Sequence, residues 1–248
     1  MREWKVGKVK KGKAAVRVQG WDLSLNHAAF IQLADGELNC AWYVTPYKGS
    51  FQRGDSFAGA THFIMPKKMP AKDMECLRLE WWRDYLWDFL RRYPADYVGL
   101  EDYALRAAMR AHQIGELGGL ARLGLWGSGV RFRLHDPTTV KMYGALNGGA
   151  DKNQMRAAVE ERYGVTFDQY DVPKEGRKNP NTDTSGDLAD AFVLAKMVWA
   201  EVQIRAGRLD LTDLEEKERQ AFLRVTKANP VNTLGREFIC REGWSAWR

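Results

Sequence analysis

Apolar residues along the chain change their period several times, and each change predicts a new element. Positions 16–22, Val-Arg-Val-Gln-Gly-Trp-Asp, predict a first strand that ends on an acid. A second strand is expected over Ala29–Leu33, and Asp35-Gly36 is a hairpin signal leading into a third over Leu38–Thr45. Residues 46–70 carry Gly, Pro and Lys without a period and read as a loop or irregular insertion. From Lys72 to Tyr93 the period is helical, with Leu77, Trp81, Trp82, Tyr85, Leu86, Phe89 and Leu90 on a wide apolar face. Trp81, Trp82 and Trp87 are expected in the core, and Pro94 ends the helix. Tyr97–Glu101 is a short apolar strand that again ends on an acid. Ala107–Leu123 has a helical pattern despite Gly115, Gly118 and Gly119, which cost helix stability. Close approach of another backbone, in the same chain or in a second copy, would account for them. Val130–Leu134 alternates like a half-buried strand. A helix over Asp151–Tyr163, a polar basic loop over Pro173–Ser185 and an apolar helix over Gly186–Val202 follow. Thr212-Asp-Leu-Glu215 reads as a capping box opening a charged helix, and residues 236–248 are aromatic and basic without a period.

That order predicts an α/β domain, a mixed sheet with helices on its faces, over residues 1–205, with a C-terminal helical appendage over 206–248. The 248 residues, 45% hydrophobic, suffice for a real core. No apolar run is long enough to span a bilayer, and the N-terminus lacks the apolar stretch of a signal peptide. Cys40, Cys76 and Cys240 lie far apart with no disulfide or zinc spacing, so a reducing cytoplasm is the expected location. The net charge of +6 and a pI near 9.2 favour a polyanionic partner, a bias that many proteins without one share.

The acids narrow the reading. Asp187 and Asp190 stand three apart on a helix, so they share a face, and that face continues through Val193, Leu194, Met197 and Val198. They lie on the stripe expected to be buried, where paired carboxylates repel unless a cation neutralises them. Acids flanking a helix N-terminus are the bland alternative. Asp22 and Glu101 each end a central strand, and the carboxyl ends of adjacent strands converge on the sheet edge where open α/β sheets place their sites. Four carboxylates without cysteine or histidine suit hard cations such as Mg²⁺ or Mn²⁺. Two such ions about 3.5–4 Å apart would clamp a scissile phosphate.

These residues also carry a resemblance. Gly20-Trp-Asp22-Leu-Ser resembles the first acid motif of RuvC-type Holliday-junction resolvases, Val98-Gly-Leu-Glu101 the second, and Asp187-Leu-Ala-Asp190-Ala the C-terminal helix motif. Pro137-Thr-Thr-Val-Lys141 and Gly148-Gly-Ala-Asp-Lys152-Asn-Gln-Met155 are similar to the family's basic DNA-contact segment, and order and spacing agree across about residues 14–202. The resemblance implies a ribonuclease-H-like fold with a five-stranded mixed sheet, a homodimer, no nucleotide cofactor and no membrane partner. It implies metal-dependent nicking of four-way DNA junctions by paired, two-metal-ion hydrolysis, as in DNA recombination and repair. Asp22, Glu101, Asp187 and Asp190 would ligate two Mg²⁺ ions, with Mn²⁺ as a substitute, while Lys141 and Lys152 would contact the DNA backbone. The sequence departs from the pattern at Ser24, where the family usually has Gly, and in the 46–70 insertion and the tail.

Other residues near these motifs have two readings each. Tyr103 and Arg106 follow Glu101, where an aromatic would stack on bases or simply pack. Arg177 and Lys178 precede the Asp187 helix and would reach DNA or lie in a solvated loop. His27 lies near Asp22 and reads as a structural or supporting residue. The alternatives are a sugar-kinase or actin-like ATPase, whose second phosphate loop is missing here, and a non-catalytic junction binder, which would lack one of the acids. A related nuclease for flaps, forks or RNA–DNA hybrids is the third, and comparative cleavage separates it.

Overall fold

In the computed structural model of the chain, residues 15–24, 27–45, 57–62, 70–102, 111–170, 183–226 and 229–241 are described. Alternating side chains over β1 (Arg17–Leu23), β2 (Ala28–Ala34) and β3 (Glu37–Thr45) give both faces of an antiparallel meander. Asp35 and Gly36 make the β2–β3 turn with positive φ, as the hairpin signal requires. β4 (Phe57–His62), β5 (Tyr97–Glu101) and β6 (Arg131–His135) complete one six-stranded sheet in the order β4-β3-β2-β1-β5-β6. β5 and β6 run parallel to β1, so the sheet is mixed. β3, β2, β1, β5 and β6 form the expected mixed five-stranded sheet, and β4 adds a parallel edge to β3. That edge corrects the reading of residues 46–70 as wholly irregular: pairing with β3 makes a strand of a segment whose local pattern is weak.

One face is covered by α1 (Ala71–Arg92) and α2 (Ala111–Gly127). Trp21, Phe30 and Trp42 of the sheet meet Trp82, Leu86 and Phe89 of α1 there, ring edge against ring face. Trp87, expected in the core, is 49% exposed, with its indole beside Gly124 of α2 and the Arg83 guanidinium over its ring. The helical face is therefore narrower than the run of tryptophans implies. Among the described residues, a Cβ at Gly119 of α2 would meet nothing within 4 Å.

The other face is governed by α5 (Asp183–Arg205), which crosses β1, β2 and β5. Gly20 and Gly99 are partners in the parallel register, and both lie beneath this helix. A Cβ on Gly20 would stand 1.9 Å from the Ala191 carbonyl oxygen, and one on Gly99 would stand 2.9 Å from that of Leu194. The paired glycines bring helix backbone onto strand backbone, and Ala191, Leu194 and Ala195 bury against the sheet.

α3 (Pro137–Ala145) and α4 (Lys152–Tyr163) flank α5. The α3 helix falls where the sequence pattern predicts no element: Asp136 caps it through the Thr138 and Thr139 amides, and Pro137 occupies its first turn. α4 opens on an Asp151–Gln154 capping box.

The C-terminal segment packs into the same core. Phe222 of α6 (Glu216–Leu223) is fully buried against Tyr143. Its helix starts after Glu215, which corrects the expected Thr212–Glu215 box. Glu218 accepts the Glu215 amide while pairing with Arg162, so the reciprocal cap forms one turn later. Buried Glu201 takes both Arg133 and Arg205, whose remaining N–H groups donate to the carbonyls of Thr233, Arg236 and Glu237. Ile239 pairs with Phe132 at the β6 edge. Among the described residues no helix is long and apolar enough to cross a membrane. Glu201→Gln leaves Arg133 buried without its anion, a loss of about 3–5 kcal/mol. Urea unfolding is expected to show that loss, and an unchanged midpoint contradicts a clamp at Glu201.

Candidate active site

Alternation along β1 and β5 fixes where their terminal acids point. Side chains two apart share a face, so Asp22 follows Gly20 to the α5 side and Glu101 follows Gly99 there. The register pairs Trp21 with Leu100, and its next step brings Asp22 level with Glu101. Asp22 also lies opposite Ala29, Ala29 opposite Tyr43, and Glu101 opposite His135. One row of side chains, Tyr43, Ala29, Asp22, Glu101 and His135, therefore crosses five strands at one end of the sheet. Close packing at the two glycines lowers the first turns of α5 onto that row.

Asp187 comes from this part of α5 and is almost completely buried. Because α5 begins at Asp183, Asp187 sits in its second turn and does not flank an exposed N-terminus, so the bland reading of this acid does not hold. The Tyr43 hydroxyl donates to Asp187 Oδ2 at 3.1 Å, and His27 Nδ1 lies 2.8 Å from the same oxygen. The His27 and Tyr43 rings are stacked, 17° from parallel. The Lys152 ammonium holds the other oxygen, Oδ1. Its alkyl stem lies along Gly186, where a Cβ would come within 3.1 Å of Lys152 Cδ.

The charges in the row oppose one another. Burial, then Asp187, Asp190 and Glu101, push the Asp22 carboxyl well above its usual range. Glu101 is pushed up to about 7 by the surrounding protein and by Asp190, although part of its surface meets solvent. Asp190 is raised to about 6 by burial and Asp187, with Lys152 and Lys141 pulling the other way. Asp187 alone goes down: burial would raise it, but the His27 hydrogen bond and the Lys152 charge outweigh burial. His135 is fully buried and held neutral, its pKa lowered to about 3 by burial and the nearby Arg133 and Arg236.

The structure thus brings Asp22, Glu101, Asp187 and Asp190 into one electrostatic cluster. Lys141, half-buried on α3, acts on it by charge, and Lys152, at the first position of α4, is ion-paired within it. Tyr103, Arg106, Arg177 and Lys178 lie outside the described residues. Tyr43 is absent from the sequence reading. Its alternation with Ala41 is visible in the chain, but its place opposite Ala29 depends on strand register. In chemistry the donor set fits a hard divalent cation, since oxygen ligands crowd at a site that raises three of their four proton affinities. Among the described residues no three His, Cys, Asp or Glu side chains already stand close enough to hold one ion.

No protein-family model and no curated protein sequence matches the chain. Among solved structures it is similar to Thermus thermophilus RuvC, at 19% identity over 77% of this chain and 97% of that one, with a TM-score of 0.46. It is also similar to T. thermophilus RuvC in complex with Holliday junction substrate, at 18% identity over 78% and 97%, with a TM-score of 0.48. These values describe a partial likeness of backbone path.

Asp22, Glu101 and Asp190 bind protons more tightly in the fold than in the unfolded chain, so they favour folding when protonated and oppose it once ionised. In EDTA, stability is expected to fall as pH rises from about 4, the unfolded value, through about 7. Asp190→Asn is then expected to raise the melting temperature near neutral pH and to change it little in mild acid. A variant no more stable than the parent near neutrality contradicts the crowding.

Proposed function

We propose that the chain is a metal-dependent endonuclease for branched DNA, a resolvase of four-way junctions. The observation that carries this reading is the row of strand-end acids beneath the second turn of α5. Asp22, Glu101, Asp187 and Asp190 would hold Mg²⁺ or Mn²⁺. Bound there, two such ions would supply an activated water and stabilise the leaving oxygen of a phosphodiester.

The chain's own residues set the conditions for that chemistry. The acids gather negative charge where the fold offers too few cations to balance it, which favours uptake of a divalent ion. Lys152 lies at the N-terminal end of α4, where free amides and the helix dipole also favour a phosphate. With a cation held by Asp187, the Lys152 ammonium would be free to meet the DNA backbone, and Lys141 would add charge there. Tyr103, Arg106, Arg177 and Lys178 are further proposed contacts to DNA on the segments beside Glu101 and before α5. A homodimer would place two such sites for paired cuts. The Gly115, Gly118 and Gly119 run on α2 is the proposed contact between copies.

A denaturing gel with a labelled four-way junction, a flap, an RNA–DNA hybrid and a linear duplex tests the reading in Mg²⁺, with EDTA and Asp22→Asn as controls. Paired nicks near the branch point of the junction alone, lost in both controls, are the expected result. The Asp22→Asn rate should be at least ~100-fold lower, as for loss of an essential electrostatic group. Preferred cutting of flap or hybrid moves the substrate, and binding without cuts in any condition overturns the enzymatic reading.

A further inference from the structure

One oxygen of Asp187, Oδ2, is held by two protein donors from the β2–β3 end of the row. Tyr43 reaches it from the third strand, and only Ala29 separates Tyr43 from Asp22 in the cross-strand row. Ala29 is fully buried, and its single methyl leaves space above it for a carboxylate. The Tyr43 ring is buried in the core beside β2 and α5, a role that phenylalanine would fill as well. What the phenol adds is a hydroxyl aimed at a carboxylate that is itself 1% exposed. His27, at the start of β2, lies on the same oxygen with its ring stacked on that of Tyr43.

We infer that Tyr43 is a positioning residue: with His27 stacked on it, its hydroxyl fixes Asp187 Oδ2 and leaves Oδ1 as the oxygen offered to a divalent cation. A carboxylate gripped on one oxygen cannot rotate to chelate with both, so Asp187 binds through one oxygen in a fixed direction. This rests on the reading of the four acids as a cation site. Partners that orient a ligand in this way typically change metal affinity about 10–100-fold when removed.

The test uses the full chain and Mn²⁺ alone, titrated calorimetrically into the parent and into Tyr43→Phe, with junction affinity measured in EDTA beside it. Tyr43→Phe is expected to weaken Mn²⁺ binding about tenfold and to lower junction turnover by a similar factor. Junction affinity in EDTA and KM for DNA should stay at parental values. His27→Phe, which keeps a ring for stacking but loses the nitrogen, should shift Mn²⁺ affinity in the same direction. Parental Mn²⁺ uptake that Tyr43→Phe leaves unchanged, with only a lower melting temperature, overturns the positioning role and makes the hydroxyl a packing partner. A parent that takes up no Mn²⁺ overturns the cation site, and the positioning role with it.

Discussion

α5 seats its backbone directly on Gly20 and Gly99 of the sheet, and the candidate site depends on that contact. A methyl at Gly20 would overlap the helix backbone at Ala191. These two glycines precede Asp22 and Glu101 by two residues each, so the strand parity that buries them under α5 also turns both acids toward its first turns. Asp187 and Asp190 then reach the row because the helix lies low, and the position of four carboxylates follows from one backbone contact. The buried Glu201–Arg133–Arg205 cluster works at the other end of the same helix, tying it to β6 and to the C-terminal segment.

The chemistry follows from what this packing does to charge. Three acids are driven above their ordinary proton affinities while Asp187 is kept ionised by Lys152 and His27. The fold therefore holds negative charge that Lys152 and Lys141 only partly balance, at the end of the sheet where strands, α3 and α4 all begin or finish. Such an arrangement opposes stability and favours a cation, which is a common character of sites that act on phosphodiesters.

Much of this was legible in the chain. Short apolar or alternating runs and the Asp35-Gly36 turn signal located five of the strands, and the spacing of Asp187 and Asp190 on an apolar stripe placed them at a buried face. Strand-end position singled out Asp22 and Glu101. Other features depend on partners that are distant in sequence. β4 exists because β3 offers an edge. α6 starts at Glu215 rather than Thr212 because Glu218 also meets Arg162. Tyr43 joins the site through register across β2, and the pairing of Lys152 with Asp187 requires the packing of α4 on α5. The α3 helix is a different case: Asp136-Pro137 is a local start signal that the chain itself carries, with no distant partner needed.

Anomalous diffraction from crystals soaked in Mn²⁺ tests the central claim most directly. The account predicts manganese bounded by Asp22, Glu101, Asp187 and Asp190, with the Lys152 ammonium displaced from Asp187 Oδ1. Manganese found only elsewhere, with Lys152 still paired to Asp187, would contradict it.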